Sequence, residues 1–356
     1  MREMKDSGIE WAGVIPNTWN INKGKYFMEL LTRPTLETDE VITCFRDGEV
    51  TLRSKRREEG FTVSLTEAGY QGIEIGDLVV HGMDGFAGSI GISDSRGKAT
   101  PVLNVLDTEQ NKRYMMYLMR TMAYCELFLS LATGIRVRTC DTNWKKLREI
   151  DYILPTIPEQ KAIADFLDEQ CAEIDSLISD IQSQIEALEE YKRSVITEAV
   201  TKGLDPDVEM RDSGVQWIGM MPTHWDCQRG KYLLRYVQKP VRDDDGVITC
   251  FRDGEVTLRS NRREEGFTMA DKEIGYQGID VGDLVVHGMD GFAGSIGISD
   301  SKGKASPVLN VLDTEQNKRY IMYYLRSMAY NDVFVALATG IRVRSCDLRW
   351  NKLAEL

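Results

Sequence analysis

Residues 159–202, EQKAIADFLDEQCAEIDSLISDIQSQIEALEEYKRSVITEAVTK, hold neither proline nor glycine, and the run closes at Gly203 and then Asp205-Pro206. Apolar residues recur at Leu167, Cys171, Ile174, Ile178, Ile181, Ile185, Leu188, Val195 and Ala199, with Lys192 the one break. Steps that alternate three and four are the period of a coiled-coil seam, so the stretch predicts one long helix with a pairing face. At 1.5 Å per residue it would be roughly 65 Å long. Burying the stripe is worth on the order of 15 kcal/mol gross, so the seam predicts a partner.

On either side of this run lies the same sequence twice. Residues 6–150 recur as residues 212–356 at a constant offset of 206, without a gap, and about two thirds of the positions are identical. VITCFRDGEVTLRS begins at Val41 and at Val247, GDLVVHGMDGFAGSIGISDS at Gly76 and at Gly282, and PVLNVLDTEQNKRY at Pro101 and at Pro307. Residues 27–40 and 233–246 have largely diverged. Copies of this length are domain-sized, not solenoid repeats. The division predicted is a lobe at 1–157, a spacer helix at 158–203 and a second lobe at 204–356, an α+β chain of two similar mixed lobes joined by a coiled-coil-type helix.

Within a lobe, Asp47-Gly48 between β-rich flanks predicts a hairpin over Val41–Arg53. Leu78 to His81 and Pro101 to Leu106 read as further strands, with glycines marking turns between them. Asn111 to Leu131, free of proline and glycine, reads as one helix ending near Gly134.

The composition, 42% hydrophobic and 28% charged over 356 residues, fits a packed protein and excludes a disordered one. No stretch approaches the roughly 20 apolar residues of a membrane span, and Met1–Gly8 has no signal-peptide core. Seven cysteines occur singly, away from the three histidines, which argues against a zinc site and for free thiols in a reducing cytoplasm. The net charge of −12 is unevenly spread: about −2 over 1–157, about −7 over 158–203 and about −3 over 204–356. The acidity therefore belongs to the helix, and nearly neutral lobes can still carry a basic face.

Catalytic patterns are weak. Gly82, Gly85, Gly88 and Gly91 recur every third residue, but no GK[ST] follows, so they read as turn glycines and not a phosphate loop. His81 and His287 stand beside Asp84 and Asp290; acid–base chemistry would need a nucleophile motif that is missing, and a satisfied polar residue at a strand end is the plainer reading. Pro206-Asp207 with Glu209 lacks the lysine of a nuclease site. Cationic clusters are the better signal. Arg53, Lys55, Arg56 and Arg57 follow the hairpin, and Arg259, Arg262 and Arg263 repeat them. Arginines there could grip phosphates or guanine edges, or lie solvated and neutralised by Glu58 and Glu59. Arg136 and Arg138, with Arg342 and Arg344, follow a predicted helix end, where they could meet DNA or complement the helix dipole.

The run LPTIPEQKAIADFLD from Leu154, continuing through EEYKRSVITEAVTKGLDPDVEMRDSGVQWIGMMPTHW, closely resembles the central conserved region of type I restriction–modification specificity subunits. GDLVV, GSIGIS, PVLNV and TGIR resemble the target-recognition domains of that family. The resemblance implies a non-catalytic, cofactor-free cytoplasmic subunit that binds a bipartite double-stranded DNA site. It also implies partners: two adenine methyltransferase subunits and, for cleavage, restriction subunits. Recognition domains of the family usually differ, whereas these are near copies, which predicts a near-palindromic target. The family pattern also leads to a second helix where this sequence stops at Leu356. The expectation is that self-association through the spacer helix supplies it in trans, or that the chain is a truncated form. A scaffold that never touches DNA is the rival reading.

Overall fold

In the computed structural model, which describes residues 3–56, 67–130, 142–262, 274–336 and 348–356, strand alternation builds the centre of each lobe. In Leu78–His81 and Leu103–Thr108, Leu78, Val80 and Leu106 join one core cluster while Val79, Leu103 and Val105 join another. Successive side chains of a strand point to opposite faces, so the sheet has a core on each side. The two strands pair antiparallel, Leu103 opposite His81 and Leu106 opposite Leu78. Met28–Leu30 and Ile90–Ile92 flank them to complete four strands. Helix Lys112–Tyr124 covers one face, with Met115, Met119 and Met122 buried against the sheet. The hairpin Ile42–Cys44 with Val50–Leu52, and the pair Gln71–Ile73 with Gly97–Ala99, cover the other.

The second lobe repeats this arrangement in register. Leu309 stands opposite His287 and Leu312 opposite Leu284, in a four-stranded sheet with Arg235–Tyr236 and Ile296–Ile298 at its edges. Helix Lys318–Tyr330 covers one face and the hairpin Ile248–Cys250 with Val256–Leu258 the other. The hairpin and the two further strands expected from sequence are therefore present in both lobes, the second strand running Leu103–Thr108 where Pro101–Leu106 was expected.

One expectation needs correction. Asn111–Leu131 is not a single helix. Asn111 caps the first turn by accepting from the Tyr114 amide, but the helix stops at Tyr124, and Glu126 adopts a left-handed φ of 59°. A second turn, Leu127–Ser130, then points Phe128 wholly into the core. The burial of an aromatic ring outweighs the roughly 1 kcal/mol a left-handed non-glycine residue costs. Asp332 makes the same break in the second lobe with φ 56°.

The long helix runs Ile157–Lys202, 46 residues without interruption. Thr156 and Glu159 close its start, the carboxylate accepting from the Thr156 amide and hydroxyl at 3.3 and 3.0 Å. Gly203, with φ 80°, ends it in the conformation glycine adopts without penalty. The chain divides inside this helix into two compact units, Met1–Ile178 and Ser179–Leu356. In the first unit Gln160 and Ala164 are buried; in the second, Val200 and Thr201 are. From 171 to 195 every residue is exposed. Cys171, Ile174, Ile178, Ile181, Ile185, Leu188 and Val195 of the expected seam lie in that stretch, and Leu167 is half-buried just before it. Among the described residues no helix is long and apolar enough to cross a membrane.

Candidate nucleic-acid interface

The hairpin tip is built by its turn residues. The Phe45 and Gly48 amides donate to the Glu49 and Phe45 carbonyls at 2.8 and 3.0 Å, and the Asp47 carboxylate accepts from the Glu49 amide at 3.1 Å. Gly48 has φ 91°, which a side chain would resist. The second lobe reproduces these bonds at Phe251, Asp253, Gly254 and Glu255 within 0.1 Å.

Arg56 does not stand free beyond this hairpin. Its guanidinium lies 4.2 Å from the centre of the Phe45 ring and pairs with Asp47 and, at 3.1 Å, with Glu49. The Arg56 hydrogen bond holds the Asp47 carboxyl below its usual range. Arg262 repeats the clasp over Phe251, 2.7 Å from Asp253 and 3.1 Å from Glu255. Among the described residues the carboxylates that pair with these two arginines are those of the turn, and Glu58 and Glu59 lie outside the described residues. Arg53 and Arg259 each donate to a threonine of the neighbouring strand, Thr43 and Thr249, at 3.3 Å. Lys55 donates to the Ser95 hydroxyl at 2.7 Å and stands 3.4 Å from Asp94. Arg57, Arg136, Arg138, Arg263, Arg342 and Arg344 lie outside the described residues.

A second loop stands against the hairpin; the sequence singled out its His81 and Asp84, but not Met83 or the Arg46 that Asp84 meets. After strand Leu78–His81 the chain turns through Gly82-Met83-Asp84. The His81 Nδ1 accepts from the Met83 and Asp84 amides at 3.2 and 3.0 Å. Burial pushes the His81 pKa down, against the pull of Asp84, which favours the neutral ring whose Nδ1 keeps the lone pair those bonds need. The structure supports the strand-end reading of this histidine. Thr142 donates to the His81 carbonyl at 2.8 Å, and Asn104 ties the Val80 and Thr142 carbonyls together at 3.1 and 3.0 Å. Hairpin and loop are pressed into one ridge: a Cβ on Gly88 would sit 3.0 Å from the Arg46 carbonyl, and one on Gly91 only 1.9 Å from that of Gly48. From this ridge Arg46 projects, 65% exposed at its side chain, 2.9 Å from Asp84. Arg252 and Asp290 repeat the pair at 3.1 Å. The signal was legible in the unbroken identity of FRDGE and HGMDG between the repeats.

Among the described residues no group of three or more His, Cys, Asp and Glu is placed to hold a metal ion. A cavity of about 950 Å³ in the second unit is lined largely by apolar and aromatic side chains, Trp217, Met221, Trp225, Tyr324 and Met328 among them.

No family model matches the chain. A curated protein of Methanocaldococcus jannaschii, described as "Putative type I restriction enzyme MjaX specificity subunit", is 30% identical over 129 residues. Those residues are 35% of this chain and 28% of that relative, so the match spans less than a third of its length. Among solved structures, a chain from a study of complex assembly and conformational transition of the type I R-M system aligns with a TM-score of 0.58 at 10% identity. The alignment covers 96% of this chain and 85% of that one. The HsdS subunit of Thermoanaerobacter tengcongensis aligns with a TM-score of 0.48, also at 10% identity, over 99% and 86% of the two chains.

Proposed function

We propose, from the premise that this chain is a relative of the type I restriction–modification specificity subunits in sequence and fold, that it is the DNA-reading and non-catalytic component of such a system. Its lobes, 1–157 and 204–356, each bind one half of a bipartite duplex target, and the helix of 158–203 joins them. The exposed seam from Cys171 to Val195 is the surface that pairs with another apolar helix, since a stripe of that size is seldom left in water. Adenine methyltransferase subunits, and restriction subunits for cleavage, are the partners, and the work is done in the cytoplasm.

The observation that carries this reading is the hairpin-and-loop ridge, whose turn, arginine clasp and histidine-held loop recur in both lobes. Two surfaces with the same side chains bind the same bases, so the half-sites are closely related and the target is near-palindromic. Mapping methylated adenines in cells that carry this chain with its methyltransferase tests the proposal, with the expected result two related half-sites at a fixed gap. Two unrelated half-sites would overturn the near-palindrome. A purified chain whose affinity for the mapped duplex is absent or independent of salt would favour the scaffold, because phosphate contacts impose a steep salt slope.

A further inference from the structure

Each lobe displays an apolar side chain that its own packing does not use. Met83 and Met289 are 56% and 55% exposed at the turn that follows the central strand. Burial of such a side chain ordinarily stabilises a fold, and here it is forgone twice at equivalent positions. The backbone beneath is nevertheless fixed. His81 holds the Met83 and Asp84 amides, and His287 holds those of Met289 and Asp290 at 3.2 and 2.9 Å. Gly88 and Gly294, with φ of 90° and 95°, bring the loop against the hairpin, where a Cβ would lie 3.0 and 2.8 Å from the Arg46 and Arg252 carbonyls. Rigid backbone under an exposed thioether is the arrangement of a contact residue, because the ordering cost is met before the partner arrives.

Beside each methionine sits an exposed arginine–carboxylate pair, Arg46 with Asp84 and Arg252 with Asp290. A phosphate would be repelled by the carboxylate of such a pair. The major-groove edge of a G·C pair would not be, since guanine offers acceptors at O6 and N7 and cytosine offers the N4 donor. An exposed ion pair adds little to stability, so little is lost in opening it onto base edges. An adjacent thioether finds its apolar counterpart in the methyl group of thymine.

We propose, resting on the reading that the lobes bind duplex DNA, that Arg46, Asp84 and Met83 in the first lobe and Arg252, Asp290 and Met289 in the second are its base-reading groups. Each set takes a G·C pair next to a thymine in the major groove. His81 and His287 act as positioning residues for these loops. The arginine clasps at Arg56 and Arg262 shape the hairpin and do not read bases.

The test is selection of bound duplexes from a random pool by the full chain, followed by sequencing. The wild-type protein should enrich a G·C–thymine step in both half-sites. Arg46→Ala should lower discrimination at the G·C position of one half-site by roughly 5- to 150-fold, and Arg252→Ala should do so at the other. Met83→Ala and Met289→Ala should relax the thymine positions about 5-fold with an unchanged salt slope, as expected for contacts that touch no phosphate. Unchanged thermal midpoints of the four variants serve as the folding control. Should the Arg46→Ala/Arg252→Ala double variant enrich the wild-type sequences with full discrimination, the ridge is not the reader, although DNA binding would stand. A wild-type chain that binds no duplex in the pool would instead remove the functional reading itself.

Discussion

In the first lobe the Arg120 guanidinium donates to the Tyr124 hydroxyl at 3.0 and 3.3 Å; in the second, Arg326 donates to the Ile296 and Asp253 carbonyls, both at 2.7 Å. The two arginines occupy the same place in the repeat, each followed four residues later by a tyrosine. What differs is the surroundings of that tyrosine. Tyr124 is 63% exposed and free to meet its arginine. Tyr330 is covered by Arg193 of the long helix, whose guanidinium lies 5.6 Å from the ring centre, and Asn331 beside it donates to Thr197 at 3.2 Å. Arg326 turns inward beneath the hairpin and becomes buried. The helix thus meets the lobes differently: its start is held in the first by Arg113 to Asp165 and Asp168, its end in the second by Tyr320 to the Val200 carbonyl at 3.0 Å. Identical hairpins can therefore rest on different supports. The exposed ridge is kept constant while the underside is free to vary.

The sharpest way to break that equivalence is through the glycines that let hairpin and sheet touch. A Cβ on Gly91 would lie 1.9 Å from the Gly48 carbonyl and one on Gly297 2.0 Å from that of Gly254. Both obstacles are backbone, so the hairpin must lift away. Gly91→Ala and Gly297→Ala should each destabilise their lobe by about 3 kcal/mol, at the severe end of overpacking. The check is chemical denaturation followed by the tryptophan fluorescence of each variant. A near-neutral result for either one would show that the two ridges are not built alike.

A smaller effect should separate the lobes. Arg326→Ala strands the buried Ile296 carbonyl, frees the part-buried Asp253 carbonyl and removes a packed guanidinium, which should cost about 2–3 kcal/mol. Arg120→Ala loses a bond to an exposed hydroxyl and should cost about 0.5 kcal/mol. Equal costs in denaturation would refute the different supports described above.

How much of this was written in the sequence depends on the range of the interaction. The long helix, the duplication and the hairpin at Asp47-Gly48 are local or self-similar signals, and the fold has them where they were expected. The break at Glu126 was hidden because it is imposed by the burial of Phe128, a tertiary demand that no spacing announces. The pairing of Asn20–Lys23 with Asp151–Leu154 joins strands far apart in the chain, and the polar opening of the lobe gave no period of two. The cationic clusters were visible, but not the fate of their charge: the partners of Arg56 are the turn carboxylates, Asp47 and Glu49, nine and seven residues earlier. Arg46 and Met83 escaped notice because identity between the repeats marks the blocks FRDGE and HGMDG without saying which of their side chains are exposed, and only the fold sets the two blocks side by side.

The mildest perturbation is acid, and it should act on both lobes alike. His81 and His287 have pKa values lowered by burial, with Asp84 and Asp290 pulling the other way and Arg46 and Arg252 adding to the depression. A histidine whose folded pKa lies below its unfolded value of about 6.5 binds more protons unfolded. Stability is then full above that pH and falls as pH drops through the folded pKa. Protonation also turns Nδ1 from acceptor to donor, so the bonds to the Met83 and Asp84 amides, and to those of Met289 and Asp290, cannot survive it. Thermal midpoints should therefore decline from about pH 6.5 downward, before the carboxylates near 4 begin to titrate. His81→Asn with His287→Asn leaves an oxygen acceptor in the place of Nδ1 and no group to protonate. That variant should hold its midpoint flat across the same interval while keeping its thymine preference. A wild-type profile already flat there, or a double variant that follows the wild-type decline, would show that these two histidines are not what holds the loops.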